Sequence, residues 1–212
     1  GERTVLAYRG ASNTITKKDI VFNKLNAKWV YIVSGHLPIA LLTSLVTHLK
    51  KQGSHVVFAP SHHHAKMGCR KLKPVLKCVD VVLLNREEAA MLTGEKYEKE
   101  KSIFKVFDDV VEGIAVMTEG PNGCLASDGR YMYRSGTFPE KKLVDRTGAG
   151  DAFGAGFVAG LMDSPDIPHA LRFASANATS VVEHVGASAG ALTKKGFTSR
   201  RWKYLDLDIE PL

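Results

Sequence analysis

Val144-Asp145-Arg146-Thr147-Gly148-Ala149-Gly150-Asp151-Ala152-Phe153-Gly154-Ala155-Gly156-Phe157 is the stretch that decides the fold. An acid, a few small residues and a second acid lead into small and apolar residues with no proline before Pro165, the pattern of a loop entering a helix. The helix start is expected between Gly148 and Asp151. Backbone N–H groups there have no intrahelical partner, and the aligned peptide dipoles put about half a positive charge at that end. Glycine and alanine leave those donors uncovered, so a phosphate oxygen or an oxyanion can reach them. Asp151, in the first turn, points a carboxylate into the same space. There it can take a proton from a hydroxyl that attacks a phosphoryl group held by the amides. The same residues also describe an ordinary helix start, with Asp151 serving only the dipole and the glycines only close packing. Gly-x-Gly-Asp alone does not separate the two.

The chain has 212 residues, 44% of them hydrophobic, enough for one sizeable core and more in keeping with one domain than two. Its net charge of +7 suits an anionic partner such as a nucleotide triphosphate, or serves solubility. The basic residues cluster at Lys66 to Lys77 and Lys194 to Lys203 without interleaved aromatics, which reads as two solvated faces and not as a nucleic-acid surface. Cys69, Cys78 and Cys124 make neither a disulfide framework nor a Cys-x-x-Cys pair, which fits a reducing, cytoplasmic setting. No apolar run approaches a membrane span, and the N-terminus has no secretory pattern. No internal repeat, low-complexity tract or linker interrupts the chain.

Taken in order, Thr4 to Tyr8 reads as a strand turning at Gly10. Trp29 to Val33 is a short apolar run typical of a buried strand. Pro38 then opens a helix with Leu41, Leu42, Leu45, Val46 and Leu49 on one face, and His55 to Ala59 is the next strand. Strand, helix, strand at this spacing is a parallel, right-handed unit. Ser61-His62-His63-His64 reads as a loop or helix start, because neighbouring histidines in an extended segment diverge. Lys66 to Lys77 is expected to be a basic helix with Leu72, Val75 and Leu76 facing inward.

Val79 to Leu84 is a third strand, leading into a helix capped by Asn85 and stopped by Gly94. Ligands of open parallel sheets bind beyond the carboxyl ends of the strands, where Asn85 and Glu88 fall, although the pair also reads as a plain capping box. Tyr97 to Asp109 is a further helix. Gly113 to Thr118 is the fourth strand, followed by the turn Thr118-Glu119-Gly120-Pro121-Asn122-Gly123 and a hairpin through Tyr131 to Tyr133. After the central stretch, Pro165 and Pro168 separate its helix from another over Ala170 to Glu183, which ends near Gly186. The tail around Trp202 carries no chemistry.

Asp145 to Asp151, Asp-x-Thr-Gly-Ala-Gly-Asp, resembles the C-terminal signature of the ribokinase-like, or PfkB, family of sugar and nucleoside kinases. Asn85-x-x-Glu88 and Thr118-x-Gly120-x-x-Gly123 resemble two further signatures of that family, in family order. Arg146 departs from the small residue usual at its position. The resemblance implies an α/β, ribokinase-like fold, a mostly parallel Rossmann-like sheet flanked by helices, with the remnant of a small β lid. It divides the chain into residues 1–20, part of that lid and the return to the core, and residues 21–212, the nucleotide-binding and catalytic core. Gly1 to Thr4 with Arg9-Gly10-Ala11 resembles the lid.

By the same resemblance the cofactors are ATP and Mg²⁺, with K⁺ as an added cation. Asp151 is the base, with Gly148, Ala149 and Gly150 as the anion hole. Asn85 and Glu88 organise Mg²⁺ through water. Thr118, Gly120 and Gly123 follow the nucleotide, Asn177 lies near the adenine, and Asp145 with Gly186 serves a monovalent cation. The implied reaction is phosphorylation of an alcohol group of a sugar. The rival readings are a nucleoside kinase on the same scaffold and a nucleotide-binding module without sugar kinase activity. A homodimer through the lid is implied, with no nucleic-acid or membrane partner. Family members are longer, so core strands and lid segments are expected to precede Gly1.

Overall fold

The computed structural model describes Tyr8 and residues 10–212. The strand expected at Thr4 to Tyr8 and most of the lid stretch lie outside the described residues. Gly10–Asn13 and Lys17–Asp19, from the same segment, are single exposed 3-10 turns.

Seven strands form one sheet in sequence order: β1 (Trp29–Val33), β2 (His55–Ala59), β3 (Val81–Asn85), β4 (Ile114–Thr118), β5 (Cys124–Ser127), β6 (Tyr131–Ser135) and β7 (Leu207–Pro211). The first four run parallel, and the last three join as an antiparallel meander, so β6 returns to the direction of β1 to β4. Five strands therefore point one way and two the other. The helices between the parallel strands are α1 (Ile39–Lys51), α2 (His62–Ala65), α3 (Gly68–Leu76), α4 (Arg86–Thr93) and α5 (Glu100–Val110). After the meander come α6 (Ala149–Asp163), α7 (Ile167–Val182) and α8 (Lys194–Phe197).

Because successive strand residues face opposite ways, the sheet feeds two cores. Ile32, Phe58, Val82, Leu84 and Met117 pack with Leu42, Leu49, Leu72 and Phe104 of α1, α3 and α5. Val57, Leu83, Val116 and Ala126 pack on the other face with Phe153, Phe157 and Leu171 of α6 and α7. The result is a three-layer α/β arrangement whose buried strands read as nearly continuous apolar runs.

Three details differ from the sequence reading. Pro168 lies inside α7, which begins at Ile167; proline in a first turn removes an N–H that has no intrahelical partner anyway. The basic helix begins at Gly68, whose φ of +76° breaks the chain after α2. The tail holds a strand, β7, signalled only by the alternation Leu205-Asp206-Leu207-Asp208-Ile209-Glu210 and ended by a proline acceptable at a sheet edge.

The glycines of α6 have specific neighbours. A Cβ on Gly160 would lie 2.5 Å from Ala170 Cα, and one on Gly156 2.9 Å from Ala174 Cα, so both let α7 close on α6. A Cβ on Gly154 would lie 2.1 Å from the Tyr31 hydroxyl of β1. Gly160→Ala is therefore expected to destabilise the fold by about 1–3 kcal/mol through overpacking, although alanine is the better helix former. Denaturant unfolding checks this, and an unchanged or raised midpoint would contradict the close approach.

Candidate active site

The parallel strands all end at one rim, where Val33, Ala59, Asn85 and Thr118 are their last or near-last residues and Val33 pairs with Ala59, Asn85 with Thr118. The amino end of α6 lies over this rim. Together they enclose a cavity of about 270 Å³ lined by Tyr31, Ser61, Asn85, Glu88, Arg146 and Asp151 among others. A second cavity of about 260 Å³ adjoins it, between the turn after β4 and the face of α7 that carries Ser175, Ala178, Thr179 and Val182. Thr118, Arg146, Ala149 and Gly150 line both.

The start of α6 is held by the loop before it. The N–H groups of Val144 and Asp145 donate to the Val182 carbonyl at the end of α7 (2.9 and 3.2 Å). Asp145 Oδ1 accepts from the Thr147 amide (2.9 Å) and Oδ2 from the Gly186 amide (3.1 Å). Gly148 is the N-cap, with φ +80°, and a Cβ there would lie 2.3 Å from the Ala187 carbonyl oxygen, so backbone conformation and space both demand glycine. Among the described residues, no side chain caps this helix. The Ala149 amide donates to the Arg146 carbonyl at 3.3 Å, whereas among the described residues no backbone hydrogen bond takes up the amides of Gly148, Gly150 or Asp151. Space beside Gly150 is open for 4 Å. Asp151 is exposed and lines the first cavity.

Asn85 and Glu88 form a reciprocal capping box on α4. Asn85 Oδ1 accepts from the Glu88 amide (2.8 Å), and Glu88 Oε2 accepts from the Asn85 amide (3.1 Å). Both also line the cavity that holds Asp151, so the cap and the cavity wall are the same residues. Burial pushes the Glu88 carboxyl above its ordinary range. One Glu88 oxygen is spent on the cap, leaving the other for a water carried by a hard cation, a donor set suited to Mg²⁺ held through water.

Thr118, Gly120 and Gly123 all line the second cavity. Gly123 has its own reason to be glycine, since a Cβ would lie 1.9 Å from the Ser135 carbonyl oxygen across the hairpin, whereas Gly120, at φ +59°, faces open space. Arg86, next to Asn85, is ion-paired with Glu119, its Nε donates to the Tyr97 carbonyl (2.8 Å), and its guanidinium lies 4.9 Å from the Tyr97 ring centre. This brace ties the Asn85 corner to the turn after β4.

Two assigned positions fall elsewhere. Asn177 is buried and does not line the second cavity. Its amide nitrogen donates to the Ala152 carbonyl (2.7 Å) and its oxygen accepts from the Leu192 amide (2.8 Å). Helical periodicity turns Asn177 toward α6, while Ser175, Ala178, Thr179 and Val182 share the face that meets the cavity. Gly186 does meet Asp145, but presents an N–H, a donor that repels a cation, so the pair as arranged does not fit a monovalent ion.

Tyr31 was not singled out by its sequence context, although a hydroxyl inside Trp-Val-Tyr-Ile-Val is the signal. It lines the cavity, and burial, reinforced by the Asp151 and Glu88 charges, pushes it up to about 12, so it stays a protonated donor. Ser61, at the same rim, belongs to a network around the buried His64. His64 Nε2 lies 2.8 Å from the Leu37 carbonyl and must donate to it, which leaves Nδ1 to accept from Ser34 Oγ (2.9 Å), while Ser61 Oγ, 3.0 Å from Nδ1, donates its proton to the Gly35 carbonyl (2.5 Å). The three consecutive histidines are thus the start of α2, with His63 stacked on His36 (centroids 4.5 Å apart).

The fold is an open α/β sheet with cavities beyond the carboxyl ends of its parallel strands. The chain belongs to the pfkB family of carbohydrate kinases, whose match spans residues 1–194. It is 29% identical over 192 residues to an uncharacterized sugar kinase of Archaeoglobus fulgidus, covering 90% of this chain and 75% of that one. It is 28% identical over 164 residues to a cytidine kinase of Thermococcus kodakarensis, covering 76% of this chain and 58% of that one. The structure of Arabidopsis thaliana ribokinase complexed with ribose and ATP superposes with a TM-score of 0.72 at 23% identity, over 84% of this chain and 56% of that one. The chain thus spans little more than half the length of the latter two. Among the described residues, no helix is long and apolar enough to cross a membrane.

Burial lowers the His64 value below 6.5, with His63 and His36 adding to the effect. The unfolded chain therefore takes up a proton before the folded one does, and stability falls as pH drops through the ordinary histidine range. Between about pH 7 and about pH 5, His64→Gln is expected to flatten this decline. Denaturant midpoints across that range check it, and an equal slope in both proteins would contradict a buried neutral His64.

Proposed function

We propose that this chain carries the phosphotransfer centre of an ATP-dependent sugar kinase. The observation that carries the reading is that Asp151 and an uncapped helix end share one cavity with Asn85 and Glu88, beyond the carboxyl ends of the parallel strands. ATP with Mg²⁺ supplies the phosphoryl group and neutralises part of its charge. The adjoining cavity, lined by Thr118, Gly120, Gly123, Ala178 and Val182, suits the nucleotide.

Asp151 takes the proton of the acceptor hydroxyl. As the new oxygen–phosphorus bond forms, the bond from the γ-phosphorus to the β–γ bridging oxygen breaks, and ADP leaves with that electron pair. The free amides of Gly148, Gly150 and Asp151 receive the equatorial phosphoryl oxygens, with Ala149 contributing its small size more than its engaged N–H. Asn85 and Glu88 orient the water around Mg²⁺, and the Tyr31 hydroxyl offers a donor beside the base. Cys69, Cys78 and Cys124 are free thiols, which supports work in a reducing cytoplasm. Dimerisation through the lid concerns residues largely outside those described.

A nucleoside acceptor is the second reading, favoured by the cytidine kinase relative. ADP release from ATP, followed against a panel of sugars and nucleosides, separates the two. Asp151→Asn is expected to lower turnover by about 10²- to 10⁴-fold while leaving ATP binding in place. If the wild-type chain binds ATP and turns it over with no acceptor, the nucleotide-binding module becomes the correct description.

A further inference from the structure

Arg146 is the residue at which the central motif departs from the family pattern, and its surroundings suggest what the departure does. It lines both cavities, as part of the wall they share with Thr118, Ala149 and Gly150. Among the described residues, no lysine and no other arginine lines either one. The acidic side chains there are Glu140 in the nucleotide cavity, and Glu88 and Asp151 in the other. Arg146 is exposed, and among the described residues its guanidinium has no hydrogen-bond or ion-pair partner. The basic clusters of the sequence do not compensate: Lys66 to Lys77 runs along α3, and Lys194 to Lys203 along α8 and the tail.

Among the described residues, a polyphosphate entering this region therefore meets carboxylates on both sides, an uncapped helix end, and one full positive charge. We propose that Arg146 is the phosphate-anchoring cation of this chain. It holds the terminal phosphate of the bound nucleotide at the wall between the cavities and keeps hold of it as the phosphoryl group passes toward Asp151. A guanidinium suits that place because its planar fork pairs with two phosphate oxygens at once, and because it stays charged beside developing negative charge. This deepens the kinase reading and rests on it.

The test is calorimetric titration of the chain with ATP, ADP and AMP, in the presence of magnesium, for wild type, Arg146→Gln and Arg146→Lys. Arg146→Gln is expected to weaken ATP by about tenfold or more, ADP by less and AMP hardly at all, with thermal stability unchanged because the side chain is exposed and unpaired. Arg146→Lys should keep part of the ATP affinity, since charge survives while the two-point grip is lost. Wild-type ATP binding should also fall more steeply with added salt than that of Arg146→Gln. Equal ATP affinity in wild type and Arg146→Gln would overturn the assignment and leave the kinase reading standing, as would equal losses for all three nucleotides. A folded wild-type chain that binds no ATP would remove the assignment together with the reading beneath it.

Discussion

The constraint on which the site depends is the left-handed backbone at Gly148, backed against the Ala187 carbonyl. A side chain at this position would both strain φ and strike the neighbouring loop. With glycine in place, the chain turns sharply enough to begin α6 with its amides uncovered and aimed past the strand ends. The loop that supplies Ala187 is itself held, since Gly186 donates to Asp145 and Asp145 also orders Thr147. The two ends of the motif thus fix each other. Asp145 acts in this structure as a tie for the loop, which is sufficient physical reason for an acid there.

Around that turn, the parallel sheet supplies direction. Four strands end at one rim, so residues far apart in sequence, Asn85 and Thr118 among them, arrive side by side. The Asn85–Glu88 capping box shows how a structural device and a site wall coincide: satisfying the first amides of α4 requires a carboxylate at that height, and the same carboxylate then faces Asp151 across the cavity. The Arg86–Glu119 pair links this corner to the turn after β4, and with both side chains largely out of solvent it keeps more of its strength than an exposed pair would.

Much of this was legible in the chain. The parallel strands are continuous apolar runs and two helices have clear stops at Gly53 and Gly94, so those positions followed within two residues, whereas α5 and α7 begin three residues from the starts expected at Tyr97 and Ala170. The central motif also read through, because a helix start without a capping side chain is a local feature, decided by the residues that compose it. What escaped depended on long-range packing. Asn177 sits in a helix whose every face carries small residues, so nothing in its own sequence shows which face meets α6 and which the cavity. Tyr31 looked like one more core residue, and its hydroxyl gains meaning only from Gly154, far along the chain. Gly186 lies where the loop could turn either its N–H or its carbonyl toward Asp145, a choice that neighbouring residues do not dictate. Strand β7 needs a partner edge to be a strand at all.

The glycines of α6 connect these observations. Glycine within a helix costs roughly 1 kcal/mol relative to alanine, and Gly154, Gly156 and Gly160 accept that cost on one short helix. Gly156 and Gly160 let α7 approach to backbone contact, and Gly154 receives the Tyr31 hydroxyl from β1. Those contacts come from different directions, so they restrain both the rotation of α6 about its axis and its height above the sheet. Asp151 lies one turn before Gly154 on the same helix, and a rotation large enough to move it out of the cavity would drive the Tyr31 hydroxyl into helix backbone. Side-chain interdigitation could hold a helix as firmly, but at a greater distance from sheet and neighbour. Backbone contact brings the carboxylate and the bare amides down to the strand ends, where the other half of the site stands.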